Sequence, residues 1–168
     1  MTKTRKMTEC GVAIALAVVL SFIAIWKMPQ GGSVSLVMVP LFVAAYRHGV
    51  AWGIATSIVY SLVALMIDGV IYHPMSVLLD YILAFGLIGV AGFFKADLRG
   101  IITGTVLGVL GRFVSSFLSG WLLFASYAPE GQNAFVYSLT YQASYLIPEL
   151  VLTLLVLILL NKKVNKIF

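Results

Sequence analysis

Three ionisable side chains, Asp80, Arg112 and Glu149, sit inside long apolar runs. A charge in hydrocarbon is costly, so each needs a partner, a hydrated cavity or a ligand. Arg112 and Glu149 lie about fourteen and fifteen residues from the outer ends of their runs, depths of ~21 and ~22 Å at the helical rise. Equal depth predicts that they pair, either as a tie between two segments or as part of a coupling or ligand site. Asp80 lies about five residues, ~8 Å, from the outer end of its run. A carboxylate there can stay hydrated and attract a cationic ligand. The other reading is a helix N-terminal carboxylate that complements the dipole.

Polar and aromatic groups gather at the same level. Tyr81 adjoins Asp80, and Arg112, Ser116, Gly120 and Phe124 recur every four residues. Tyr137, Tyr141, Ser144 and Tyr145 share one broad helical face, with Gln142 alongside. Tyrosine belts are common where a membrane meets water, which accounts for Tyr137 alone. Such a belt leaves Tyr141, Gln142 and Tyr145 unexplained, because they go progressively deeper. A binding pocket in the outer half of these segments is the expectation.

The elements that carry these residues are membrane spans. The chain has 168 residues, is 61% hydrophobic and only 10% charged, with a mean hydropathy of +1.05. Soluble domains are about half apolar and about a quarter charged, so this chain could not cover a globule with polar surface. The apolar runs suffice for about six helices at roughly 20 residues each. They span about Thr8 to Trp26, Val34 to Tyr46, Val50 to Ile67, Met75 to Phe94, Ile101 to Ser126 and Ala134 to Leu160, separated by Gly, Pro and charged breaks. The expected fold is an all-α integral membrane bundle of six transmembrane helices, with residues 1–168 forming a single domain. The second span, at roughly 13 residues and ~20 Å, is too short to cross alone and invites a tilted or partial crossing. The first run is read as a retained span, since no small-x-small cleavage site leads from it into a soluble chain.

Charge follows the same frame. With the N-terminus inside, the inner segments hold Lys3, Arg5, Lys6, Arg47, Lys95, Arg99, Lys162, Lys163 and Lys166, and the outer segments hold only Lys27. This asymmetry predicts both termini cytoplasmic. The net charge of +5 is thus topological, and no nucleic-acid partner is expected. Two small-residue stripes stand out. Gly104, Gly108, Gly111 and Ser115 would let another backbone approach the fifth span closely. On the first span, Gly11 and Ala15, and likewise Ala13 and Ala17, form small-xxx-small pairs. These either pack within the bundle or give a smooth surface to a partner helix.

No phosphate-binding loop, HExxH, GxSxG or His/Cys cluster occurs, and one cysteine, Cys10, excludes an internal disulfide. No enzyme activity, metal or cofactor is expected. Nothing in the chain would hydrolyse ATP, so transport against a gradient would need a partner or an ion gradient.

The run MPQGGSVSLVMVP (Met28 to Pro40), LDYILAFGLIGVAG (Leu79 to Gly92), the GRF and FLSG runs between Gly111 and Gly120, SYAPEG (Ser126 to Gly131) and YSLTYQASYLIPE (Tyr137 to Glu149) together cover much of the chain. In this combination the sequence resembles the thiamine-specific S components, the substrate-binding membrane subunits of energy-coupling factor (ECF) transporters. The resemblance implies a multi-pass protein of the bacterial plasma membrane, held in lipid, that binds a vitamin from outside. It implies a transmembrane coupling protein and two ATPases as partners, docked on the first helix at Gly11 and Ala15, with Ala13 and Ala17 beside them. The first loop, Lys27 to Ser33, would lid the site. The family's carboxylate, aromatic and polar ligand contacts fall on Asp80, Tyr81, Phe124, Tyr137 and Gln142.

The chain departs from the family pattern at several of these places. Ser116 stands where the family usually has His, Gln142 where it has Asn, Phe124 where it has Trp, and Val37 or its apolar neighbours where it has an acid. The ligand expected is therefore thiamine or a close relative. Asp80 would complement its charge, Phe124, Tyr137 and Tyr141 would contact its rings, and Ser116 and Gln142 would offer hydrogen bonds beside the open Gly120. The alternatives are an S component for a different water-soluble vitamin, or a non-transporting membrane assembly protein whose small stripes only pack helices.

Overall fold

The computed structural model describes residues 2–69, 71 and 73–163; the tail lysine Lys166 used in the charge asymmetry lies outside them. Six helices make one bundle. They are α1 (Lys3–Phe22), α2 (Met38–His48), α3 (Val50–Asp68), α4 (Pro74–Phe93), α5 (Leu98–Leu123) and α6 (Ala134–Lys163). The last four are long and apolar enough to cross a membrane. The all-α membrane bundle expected from the sequence is the observed fold.

Two boundaries differ from expectation for one reason. Apolar residues on both sides of the first loop read as helix, but Trp26–Lys27 (β1) and Ser33–Val34 (β2) pair as an antiparallel ribbon. That ribbon ends α1 at Phe22 and delays α2 to Met38. The turn joining β1 and β2 has φ of +94° at Gly31 and +89° at Gly32, a region that side-chain-bearing residues rarely enter. Ile25 and Met28 N–H groups donate to Val34 and Gly32 carbonyls at 2.9 and 3.0 Å and close it. The run Lys27 to Ser33, at the tip of this ribbon, is loop 1.

The short α2 is a central helix. Met38, Leu41, Phe42 and Ala45 are fully buried, and α1, α3, α4 and α6 surround it. A helix apolar on every side is stable only when enclosed. Its eleven residues therefore need not match the bilayer thickness. Pro40 falls in the first turn, where no intrahelical N–H bond is lost.

The small stripe of α5 does what its spacing predicts. Added Cβ atoms at Gly104, Gly108 and Gly111 would stand 2.7, 3.0 and 3.0 Å from Tyr46, Phe42 and Leu87. Ser115 Oγ donates to the Leu79 carbonyl at 2.6 Å. The stripe thus holds α5 against α2 and α4. On the other side of α4, a Cβ at Gly89 would lie 2.2 Å from the Ile54 backbone nitrogen of α3, so those two helices touch almost backbone to backbone.

Helix α4 is irregular. His73 Nδ1 accepts from the Met75 N–H at 3.1 Å and caps it, and Pro74 opens it. Val77–Leu83 then winds as a π-helix and Leu87–Phe93 as a 3₁₀-helix. The wide π turn contains Asp80 and Tyr81. Helix α5 ends earlier than read, because Phe124 leaves helical geometry (φ −117°, ψ 25°) and Ala125–Tyr127 forms a 3₁₀ turn.

Candidate functional site

Loop 1, the π turn of α4, the C-terminal half of α5 and the start of α6 enclose a cavity of about 540 Å³, within the usual range for small-molecule sites. All eight residues expected at a ligand site line it: Asp80, Tyr81, Ser116, Gly120, Phe124, Tyr137, Tyr141 and Gln142. The π turn inserts an extra residue per turn, a distortion often found at functional sites. Nothing in the local sequence announces it.

Asp80 is half-buried and accepts the Ser119 hydroxyl at 2.5 Å on Oδ2. Among the described residues no cationic side chain lies within ion-pair distance of it. Its carboxylate therefore gives the cavity wall a negative charge that no basic side chain pairs directly.

The expected Arg112–Glu149 pair is present, with Arg112 Nη1 donating to Glu149 Oε2 at 3.2 Å. Ser35, just after β2, donates its hydroxyl to Glu149 Oε1 at 3.1 Å. The pair thus ties α5, α6 and the root of loop 1. Glu149 is 1% exposed, whereas Arg112 also reaches the cavity wall. The guanidinium carbon stands 4.5 Å over the Phe85 ring, a cation–π contact. The sequence left Arg112 as a tie between segments or as part of a coupling or ligand site, and its place on the wall follows from its register with Ser116 and Gly120.

The tyrosines of α6 hold loop 1 down. The Gln30 N–H donates to Tyr141 Oη at 2.9 Å, and Tyr141 Oη donates to the Gly31 carbonyl at 3.0 Å. Tyr137 Oη donates to Gln30 Oε1. Tyr137 and Tyr141 were expected as ring contacts, and their hydroxyls have this additional use. Gln142 Nε2 donates to the Ser116 carbonyl at 3.3 Å, and Gln142 Oε1 accepts from Tyr145 Oη. Tyr145 and Gln30 also line the cavity; the sequence placed Tyr145 among the pocket-forming residues and Gln30 in the lid loop, and named neither as a ligand contact. The repeat of tyrosine at positions 137, 141 and 145 was the available signal for Tyr145. Ser144 is exposed and bonds only its own helix, at the Tyr141 carbonyl, 2.6 Å away.

The four small residues of α1 divide. Gly11 and Ala15 are exposed, and a Cβ at Gly11 would meet nothing within 4 Å. Ala13 and Ala17 are 8% and 0% exposed, packed within the bundle. That corrects their place on a docking face. Two residues advance about 200° around a helix, so the two small pairs face opposite ways. Near the N-terminus of α1, Glu9 accepts from Arg5 Nε at 3.0 Å and lies within ion-pair distance of Arg47 Nε at 2.6 Å and His48 Nε2 at 3.1 Å, fastening α1 to the end of α2.

Residues 7–168 match a family model described as Thiamine transporter protein (Thia_YuaJ). Thiamine transporter ThiT of Bacillus subtilis (strain 168) is 35% identical, over 92% of this chain and 89% of the relative. Thiamine transporter ThiT of Lacticaseibacillus paracasei is 25% identical, over 88% and 82%. The solved structure of ThiT from Listeria monocytogenes superposes with a TM-score of 0.88 at 24% identity, covering 98% of this chain and 97% of that one. The S component of a bacterial ECF transporter superposes with a TM-score of 0.66 at 19% identity, over 98% and 97%. The two superpositions establish a shared fold.

Proposed function

This chain belongs to the thiamine transporter protein family, a family of multi-pass membrane transport proteins and not of enzymes, and from that premise we propose that it is an S component that binds thiamine from the outside. The observation that carries the reading is the lidded cavity, whose wall bears a carboxylate with no cation paired to it among the described residues and whose lining bears aromatic rings. Thiamine offers a thiazolium cation, an aminopyrimidine and a hydroxyl. Asp80 complements the cation by charge, and Phe124, Tyr137 and Tyr141 offer ring faces. Gln142 and Ser116 supply directional polar contacts where the family usually has Asn and His. Gly120, expected as an open position, instead lets α5 and α6 close together beside them, since a Cβ there would lie 2.4 Å from Ser138 Oγ.

Uptake would rest on a coupling protein and two ATPases, since the chain contains no phosphate-binding loop of its own. The exposed small face at Gly11 and Ala15 suits a partner helix, because small residues allow close backbone approach in a membrane. The basic asymmetry of the loops supports an arrangement with both termini cytoplasmic and loop 1 outside. The test is direct. Protein purified without added vitamin is extracted and the small molecule identified by mass spectrometry, alongside titration with thiamine. Thiamine in the extract with saturable binding is expected. A different vitamin in the extract, with no thiamine binding, would overturn the assignment of the ligand.

A further inference from the structure

Tyr145 links two parts of the site that no shared backbone element joins. Its ring lies directly beneath loop 1, so close that a Cβ built on Gly32 would stand 2.7 Å from Cζ and 2.8 Å from Cε1. Its hydroxyl donates to Gln142 Oε1. On the other side of the same amide, Gln142 Nε2 donates to the Ser116 carbonyl. A carbonyl oxygen can only accept, so the amide nitrogen must face Ser116 and the amide oxygen must face Tyr145. The orientation of Gln142 is therefore fixed by chemistry. Gly120 lies alongside, where an added Cβ would come within 3.5 Å of Nε2.

We propose that Tyr145 is a positioning residue that locks the Gln142 amide in one orientation and links that orientation to the seating of Gly32. The oxygen is turned to Tyr145, and the second hydrogen of Nε2 is what the amide offers the cavity. The ligand group recognised there is an acceptor, which in the proposed ligand is a pyrimidine ring nitrogen. Glycine at position 32 is required twice, by its positive φ and by the ring beneath it. This inference rests on the thiamine reading for the ligand's identity and on the structure alone for the link between Tyr145, Gly32 and Gln142.

The experiment has a readout for each. In the full chain labelled with ¹⁵N-glutamine, the Gln142 side-chain amide signal is assigned by its loss in Gln142→Leu. Tyr145→Phe and Gly32→Ala should each shift or broaden that signal, and a signal unmoved by both overturns the proposal whatever the ligand is. Titration with thiamine and with analogues carrying C–H for either pyrimidine nitrogen supplies the second readout. Tyr145→Phe should weaken thiamine by roughly tenfold, about one hydrogen bond's worth, and should abolish the discrimination against one analogue. The double variant Tyr145→Phe/Gln142→Leu should bind no worse than Gln142→Leu, because the two residues act as one unit. Multiplying losses in the double variant, or equal weakening for thiamine and both analogues, would overturn the positioning role. Wild-type chain that binds no thiamine, with the amide signal still moved by both substitutions, would fault the ligand and uphold the link.

Discussion

Asp80 and Glu149 are both carboxylates in the bundle, and their surroundings assign them opposite duties. Glu149 is enclosed and bound by Arg112 and Ser35, whereas among the described residues Asp80 is hydrogen-bonded by a serine hydroxyl and meets no cation at ion-pair distance. Asp80→Asn should weaken thiamine by about 1.5–3 kcal/mol, the range for a hydrogen bond to a charged group, with little change in the unfolding temperature of the protein without vitamin. Calorimetric titration beside a thermal melt in detergent separates the two effects. Glu149→Gln should do the reverse. It leaves the Arg112 guanidinium buried without its counter-charge, at a cost of about 3–5 kcal/mol, which a thermal melt will register as a large drop. The pairing of Arg112 with Glu149 was legible because each interrupts an apolar run and the helical rise puts the two at one level. The duty of Tyr145 was not, since a tyrosine at that spacing reads equally as interface belt, core or ligand contact.

Helix α1 carries a small-residue pair on each of two faces, and the structure tells them apart. Ala15 is exposed and Ala17 is fully buried. If the outer face docks the coupling protein, Ala15→Trp should abolish co-purification of the ATPases and vitamin uptake while thiamine binding by the isolated chain persists. Ala17→Trp should lower the unfolding temperature and impair both binding and uptake. An Ala15→Trp protein that still assembles and transports would remove docking from this face. Burial could not be assigned from the sequence, because Gly11/Ala15 and Ala13/Ala17 present the same motif and only the neighbouring helices distinguish them. The same lack of partner information hid the enclosure of α2, which composition alone makes look like a truncated span. The α5 stripe was legible for the converse reason. Glycines at 104, 108 and 111 have one plausible use, and the side chains of α2 and α4 fill it. The π turn of α4 left no trace, since Leu, Asp and Tyr wind into ordinary helix elsewhere.

The bundle as a whole encloses a chamber, and one of its walls is a two-stranded ribbon. Its orientation across the membrane is checked by thiol labelling. In intact cells a membrane-impermeant reagent should reach a cysteine at position 130 and fail to reach one at position 3, and the opposite pattern would invert the topology. The native Cys10 is buried and adds no background. The Tyr137, Tyr141, Gln30 and Gly31 contacts have a kinetic consequence. If thiamine enters through this wall, these bonds must first break, so capture would wait on a transient population of unfastened chambers. The apparent affinity is then the intrinsic affinity scaled by that population. In stopped-flow mixing the observed rate of capture should level off as thiamine is raised, at the frequency with which the ribbon lifts. Tyr141→Phe, which removes the hydroxyl at the centre of the fastening, should raise that ceiling.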